Sequence, residues 1–375
     1  MVNRDRLINE FLQMVQIDSL SGRERQIADY LKDKLISLGL SVTEDAAGEK
    51  AGGNAGNIIA KIPANNSSAP VIMLCSHMDT VEPGIGVKPV IKDNFICSQS
   101  DTVLGSDDKA GIAAILEAIR QVKENDVPHG GIEVVFTIWE EGGLFGAKYL
   151  DYSLLEAKIG YVLDSDGTPG TIITRAPSQD KIYAEIHGRA AHAGINPEDG
   201  INAILVAANA IAGLNLGRID EETTCNIGVI CGGKATNIVP DLVKIEGETR
   251  SLDVSKRQAQ NKVICRAIEQ AAERFDTKAD INVEPEYTSF NLSEDSLSVK
   301  IAIKAAQNLG LTPRLEKTGG GSDANVFNNM GIETANLGIG MRKVHTKEEY
   351  IAIEDLINNA RYVVEIIKTA GELSL

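Results

Sequence analysis

The feature that most constrains the fold is a change of rhythm partway along the chain. Up to about residue 176, short β-branched runs recur at 57–62, 71–75, 132–138 and 159–163, and a helical segment over about 107–122 separates the second from the third. Two helices come first, one around residues 3–15 and one opening at Ser21, where Ser21-x-x-Glu24 matches a capping box. Alternating strands and helices predict a layered α/β domain with a mixed or parallel sheet. Near Ala176-Pro177-Ser178 the order becomes strand (181–187), helix (201–214), strand (225–231), strand (243–252), helix (255–275) and strand (280–285). That β-α-β-β-α-β order is the ferredoxin-like unit. Helices near 297–309 and 353–373 resume the first rhythm, so a domain of residues 1–177 and 288–375 is expected to carry an inserted α+β domain over 178–287.

Composition narrows the function. With 375 residues, 43% of them apolar, both domains can bury a core. No run approaches the roughly 18 uncharged apolar residues that cross a bilayer. The first dozen residues mix charged and apolar positions at helical spacing, unlike a signal or transit peptide, so a cytoplasmic protein without a membrane partner is expected. A net charge of −16 repels phosphate backbones, which argues against nucleic acid as a partner and suits a protein that holds divalent cations. Cys75, Cys97, Cys225, Cys231 and Cys265 are scattered with no Cys-x-x-Cys, and are expected to be reduced and mostly buried.

The residues able to carry chemistry sit where the strands end. Ser76-His77-Met78-Asp79-Thr80 follows the apolar run 71–75, at the carboxyl end where open α/β sheets place their sites. His77 with Asp79 reads as a metal-binding histidine whose second nitrogen is held by a carboxylate, with a polar loop pair as the plain alternative. Gly105-Ser106-Asp107-Asp108-Lys109 places acids at a helix start, where the helix dipole alone would favour them. Trp139-Glu140-Glu141-Gly142-Gly143 ends the run 132–138 with two carboxylates that repel unless a cation lies beside them, a condition met by a metal ligand next to a general base. Leu163-Asp164-Ser165-Asp166-Gly167 repeats the arrangement, and an Asp-rich turn is its plain alternative. His345 alone would be an exposed loop histidine. As a set, separate strand ends offering histidine and carboxylate without cysteine suit a borderline-hard divalent metal.

The run Thr318-Gly319-Gly320-Gly321-Ser322-Asp323 lacks the Lys-Ser/Thr ending of a phosphate loop, and reads as a turn into a helix whose N-terminus faces the substrate. His129 reads as a surface-loop residue and His187 as a strand residue, whereas His192, on a glycine-flanked turn, is the better functional candidate.

These segments, in this order, resemble the metallopeptidase family that includes acetylornithine deacetylase, succinyl-diaminopimelate desuccinylase, aminoacylase and peptidase T. The likeness covers nearly the whole chain and is most like the peptidase T branch at Ser76-His77-Met78-Asp79-Thr80-Val81, Asp107-Asp108-Lys109-Ala110-Gly111-Ile112 and Trp139-Glu140-Glu141-Gly142. It implies a mixed-sheet zinc-peptidase catalytic domain with the ferredoxin-like insertion serving as lid and dimerisation domain. It also implies two zinc ions, with cobalt or manganese as substitutes: His77 and Asp164 on one, Glu141 and His345 on the other, and Asp107 bridging, followed by a cis peptide. Asp79 would orient His77 and Glu140 would be the general base. His192 corresponds to a small-domain histidine that in dimeric members reaches the partner's active site, and Arg250, Gly320, Gly321 and Ser322 align with substrate-binding positions. The expected activity is hydrolysis of short peptides by a tripeptide aminopeptidase, possible as a homodimer. An N-acyl-amino-acid deacylase or a carboxypeptidase would use the same metal site, and a non-catalytic dimeric binding protein would have lost a ligand or the base. One departure from peptidase T is a much shorter stretch between His77 and Asp107.

Overall fold

The computed structural model describes residues 2–373, which divide into two compact units. The larger takes in the described residues through Thr174, Asn291–Lys317 and the described residues from Ser322 on; the smaller takes in Arg175–Phe290 and Thr318–Gly321.

The sheet of the larger unit is mixed. Ser41–Glu44, Ile58–Ile62 and Ile132–Thr137 pair antiparallel in that order, and Ile72–His77 then lies parallel between Ile132–Thr137 and Ile159–Ser165. Glu333–Gly338 continues parallel to Ile159–Ser165 and pairs antiparallel with Thr171–Ala176. Every residue of Ile72–His77 is buried, as a strand covered on both faces requires. The helix Ser106–Glu124 packs over the strands and against Arg4–Val15 and Ile353–Gly371, and presents Ile112, Ile115, Leu116, Ile119 and Val122 to the core. Arg6 fastens the first helix to it by donating from Nε (2.7 Å) and Nη2 (2.9 Å) to the fully buried Glu117 carboxylate.

In the smaller unit Ser178–His187, Ala203–Ala212, Thr223–Gly232, Leu242–Ser251, Val254–Arg274 and Ala279–Tyr287 follow one another as strand, helix, strand, strand, helix and strand. A short extra strand, Gly217–Arg218, edges the antiparallel sheet. The two helices cover one face, with Val206, Ala207, Ile264 and Ile268 buried against Ile182, Ala184, Val243 and Ile245.

Several sequence expectations need correction. Ser21-x-x-Glu24 is no capping box: the helix is Arg25–Ser37 with Glu24 as N-cap, the Glu24 side chain makes no capping bond, and Asn54 Oδ1 accepts from Arg25 N–H (3.0 Å). Ser21 and Glu24 instead reach across the chain to Asp79 and Trp139. His129 is buried rather than on the surface; its carbonyl accepts from Asn65 and Asn66 and its Nδ1 from Gly131 N–H. All five cysteines are free, but only Cys75 and Cys225 are buried, and Cys231 is exposed. A four-stranded sheet of Met341–Arg342, Tyr350–Ala352, Phe95–Ser98 and Pro89–Lys92 had no counterpart in the sequence reading, because strands of two to four residues carry no periodicity.

Candidate active site

His77 is the last residue of its strand and is buried. Its Nδ1 lies 2.9 Å from the Asp79 carbonyl and 3.4 Å from Asp79 Oδ1, so this nitrogen faces only acceptors and carries the proton. Nε2 then turns a lone pair toward Asp107 Oδ1 at 3.0 Å and Asp164 Oδ1 at 3.7 Å. A lone pair facing carboxylates is repelled unless a proton or a metal ion stands between them. Without a metal, burial opposes the charge on His77, but Asp107, Asp164 and Asp79 outweigh it and hold the imidazole well above its usual range.

Asp79 organises more than His77. Fully buried, it accepts from Glu140 N–H (2.9 Å) on Oδ1, and from Ser21 Oγ–H (2.6 Å) and Glu141 N–H (3.3 Å) on Oδ2. Glu24 steadies the same turn by accepting from Trp139 N–H (3.0 Å) and Gly22 N–H (2.7 Å), at a point where Trp139 takes φ +48°. Burial, with Asp79 close by, pushes the Glu24 carboxyl up to about 7.

Asp107 follows Gly105 (φ +77°) at the start of the helix Ser106–Glu124, and the Asp107–Asp108 peptide is cis. Its two oxygens serve different neighbours: Oδ1 faces His77, and Oδ2 lies 3.2 Å from His345 Nε2. His345, at the tip of the hairpin joining Met341–Arg342 to Tyr350–Ala352, also has Nε2 2.9 Å from Glu141 Oε1. Asp164 is fixed through its backbone by Asn336, whose Oδ1 accepts from Asp164 N–H (3.1 Å) and whose Nδ2 donates to the Asp164 carbonyl (2.9 Å).

Side-chain ligand atoms therefore form two groups, His77–Asp107–Asp164 and Asp107–Glu141–His345, each with its atoms within 4.8 Å of one another and with Asp107 common to both. Burial, reinforced by Asp107 and Glu141, pushes the Asp164 carboxyl up to about 7; burial, with Asp164 nearby, drives Glu140 well above its ordinary value. So many crowded carboxylates against two imidazoles lack positive charge, and oxygen and nitrogen donors in this arrangement fit a pair of divalent ions.

The sequence-derived candidates fall into two sets. His77, Asp79, Asp107, Glu140, Glu141, Asp164 and His345 converge in the larger unit. Ser322 also belongs there, buried, with its Oγ accepting from Asn336 Nδ2 at 3.1 Å. His192, Arg250, Gly320 and Gly321 belong to the smaller unit. There His192 is exposed with Nδ1 accepting from Gly194 N–H, and Arg250 is held by Glu248 through Nε (2.9 Å) and Nη2 (3.1 Å). Gly320 N–H donates to Thr318 Oγ1, and Gly321 lies against the Tyr287 ring so closely that a Cβ would fall 2.2 Å from it. The sequence reading missed Glu349 and gave other roles to two more supporting carboxylates: Glu24, read as a capping residue, and Asp323, read within a substrate-facing turn, which accepts from Thr137 Oγ1–H at 2.6 Å.

Among the described residues no helix is long and apolar enough to cross a membrane. Aminopeptidase PepT from Bacillus cereus superposes with a TM-score of 0.91 at 47% identity, over 99% of this chain and 100% of that one. A tripeptidase from Staphylococcus aureus gives 0.95 at 44% identity over the whole of both chains. Peptidase T of Brevibacillus brevis is 25% identical over 96% of this chain and 98% of its own length. Residues 73–369 match the model of peptidase family M20/M25/M40, a stretch that holds all five residues of the two ligand groups. By that match, and by full-length likeness to the two solved peptidases, this chain belongs to peptidase family M20/M25/M40.

Proposed function

We propose that this chain is a two-zinc aminopeptidase that removes the N-terminal residue of short peptides, tripeptides in particular. The observation that carries the reading is Asp107, which presents one oxygen to His77 at 3.0 Å and the other to His345 at 3.2 Å, so that one carboxylate serves two ligand groups. His77, Asp107 and Asp164 would hold one ion, and Asp107, Glu141 and His345 the other. Bound there, zinc, or cobalt or manganese in its place, supplies Lewis acidity toward the scissile carbonyl and toward water.

The chain's own residues do the rest. Glu140 accepts the proton of the attacking water and returns it to the leaving amine. Asp79 keeps the His77 proton on Nδ1 and, through the N–H groups of Glu140 and Glu141, fixes the turn on which base and ligand are adjacent. His192 donates to the developing oxyanion, a role worth about 3 kcal/mol in other enzymes. Arg250, Gly320, Gly321 and Ser322 bind the peptide. The domain over 178–287 acts as lid and pairs two chains into a homodimer; its exposed Ile204, Leu205, Val229 and Ile230 support this. The five free cysteines support a reducing, cytoplasmic setting.

The solved aminopeptidase that superposes on this chain favours an aminopeptidase over a deacylase or carboxypeptidase, and the solved tripeptidase favours tripeptides as substrates. A panel of dipeptides, tripeptides and N-acyl amino acids, assayed with zinc and after exhaustive chelation, tests this. Release of the free N-terminal amino acid, fastest from tripeptides and only with metal, is expected. Undiminished turnover after demetallation, or a preference for N-acyl substrates, overturns it.

A further inference from the structure

Four residues beyond His345 lies Glu349, 2% exposed, whose carboxylate accepts from one short segment only. Oε2 accepts from Leu104 N–H at 2.7 Å and Gly105 N–H at 2.9 Å; Oε1 accepts from Ser106 Oγ–H at 2.5 Å and Asp107 N–H at 3.2 Å. These donors open the helix Ser106–Glu124, where N–H groups lack partners within the helix. A local Ser, Thr, Asp or Asn usually satisfies them. Here Gly105 has no side chain to offer, Asp107 and Asp108 keep non-helical backbone angles, and Asp108 Oδ1 accepts from Gly111 N–H (3.3 Å) further on, so the four donors at 104–107 take their acceptor from 242 to 245 residues away.

The far side of this joint is equally well tied. Thr346 Oγ1–H donates to the Lys343 carbonyl (2.7 Å), and Glu349 N–H donates to the Thr346 carbonyl (3.1 Å), so two successive turns meeting at Thr346 connect His345 to Glu349. Met341–Arg342 and Tyr350–Ala352 pair antiparallel at its base. One carboxylate thus joins the backbone that bears Asp107 to the turn that bears His345.

We propose that Glu349 is the positioning residue of the Asp107–Glu141–His345 group, setting Asp107 Oδ2 and His345 Nε2 at the spacing a metal ion needs. The inference rests on the two-metal reading above and adds an asymmetry to it. Two ligands of that group hang on Glu349, but only Asp107 of the His77–Asp107–Asp164 group does, since His77 and Asp164 are carried by strands of the main sheet. Glu349 therefore sets the affinity for the second ion far more than for the first.

The test is stepwise zinc binding to the full chain, by competition with a chromophoric chelator, for wild type, Glu349→Gln and Glu348→Gln. The glutamine at 349 keeps the size of the side chain but turns an NH₂ toward backbone donors. Partners that orient a metal ligand typically change metal affinity by about 10- to 100-fold when removed. Glu349→Gln should hold the first ion as wild type does and weaken the second by about that factor. Glu348→Gln, which removes the same charge from an exposed side chain paired with Lys343, should bind both ions normally. A merely structural Glu349 would lower the melting temperature of the metal-free protein and leave both binding constants at their wild-type values, which overturns the proposal. Equal weakening of the two ions also overturns it. Wild-type protein that binds fewer than two ions removes the two-metal reading itself, and the proposal with it. Should Glu349→Gln fail to fold, Ser106→Ala, which deletes one of the four donors, decides: a weaker second ion supports the role, and wild-type affinity for both refutes it.

Discussion

Glu140 and Glu141 are chemically identical neighbours placed in different surroundings. The Glu141 carboxylate meets His345 at 2.9 Å, whereas Glu140 belongs to neither ligand group and is buried beside Asp164. Glu140→Gln should therefore retain both metals and lose about 10²- to 10⁴-fold in kcat, the usual contribution of a positioned general base. Glu141→Gln should lose metal first. Metal content by elemental analysis beside kcat on a tripeptide checks both, and a reversed pattern exchanges the two roles. Of the seven converging residues, His77, Asp79, Glu140, Glu141 and Asp164 were legible because they follow apolar runs, Asp107 because it opens an apolar helix, and His345 only as a member of the set. Their supports were not. Ser-x-x-Glu spacing at Ser21 and Glu24 is the same whether the side chains turn back on their own helix or reach residues 58 and 115 positions away, and only the folded chain decides between these. Glu349 stands beside an exposed acid, Glu348, with no local pattern to separate them.

At the scale of elements, the helix Ser106–Glu124 was foreseeable from its apolar spacing, but the distance at which it packs was not. Gly111 sits so near the sheet that a Cβ there would come 2.4 Å from Ser76 Oγ, 2.5 Å from Asp108 Oδ1 and 2.6 Å from the Leu163 carbonyl. The residues next to those contacts in sequence are His77, Asp107 and Asp164, so the helix backbone at Gly111 packs against the immediate neighbours of all three residues of the first group. Gly111→Ala should destabilise the protein by about 1–3 kcal/mol, the usual penalty for overpacking a tight core, and should weaken metal retention as well. Urea unfolding with metal analysis measures both. Wild-type stability would mean that the helix can stand off from its strands at no expense. The small four-stranded sheet escaped the sequence reading for a different reason: its strands belong to hairpins too short for alternation to register, although one of them presents His345.

For the whole molecule, the α/β rhythm and its interruption near residue 176 carried the mixed sheet and the β-α-β-β-α-β order into view before any tertiary contact was known. Quaternary structure is less visible, because an exposed edge can be shielded in several ways. In the smaller unit, residues 226–232 of Thr223–Gly232 have no partner on their outer side among the described residues, and Val229 and Ile230 on that strand are about half exposed. Sedimentation at micromolar concentration should give twice the mass of one chain, and Ile230→Lys should return it to one; a monomeric wild type refutes the pairing. The ligand groups also have a consequence in time. They draw on residues from His77 to His345, and at a synthesis rate of about 5–20 residues per second the first ligand leaves the ribosome on the order of tens of seconds before the last. On the proposed reading, a nascent chain has no working centre until translation passes residue 345, so a message cut short yields an inert fragment and not an unregulated hydrolase loose among the cell's peptides.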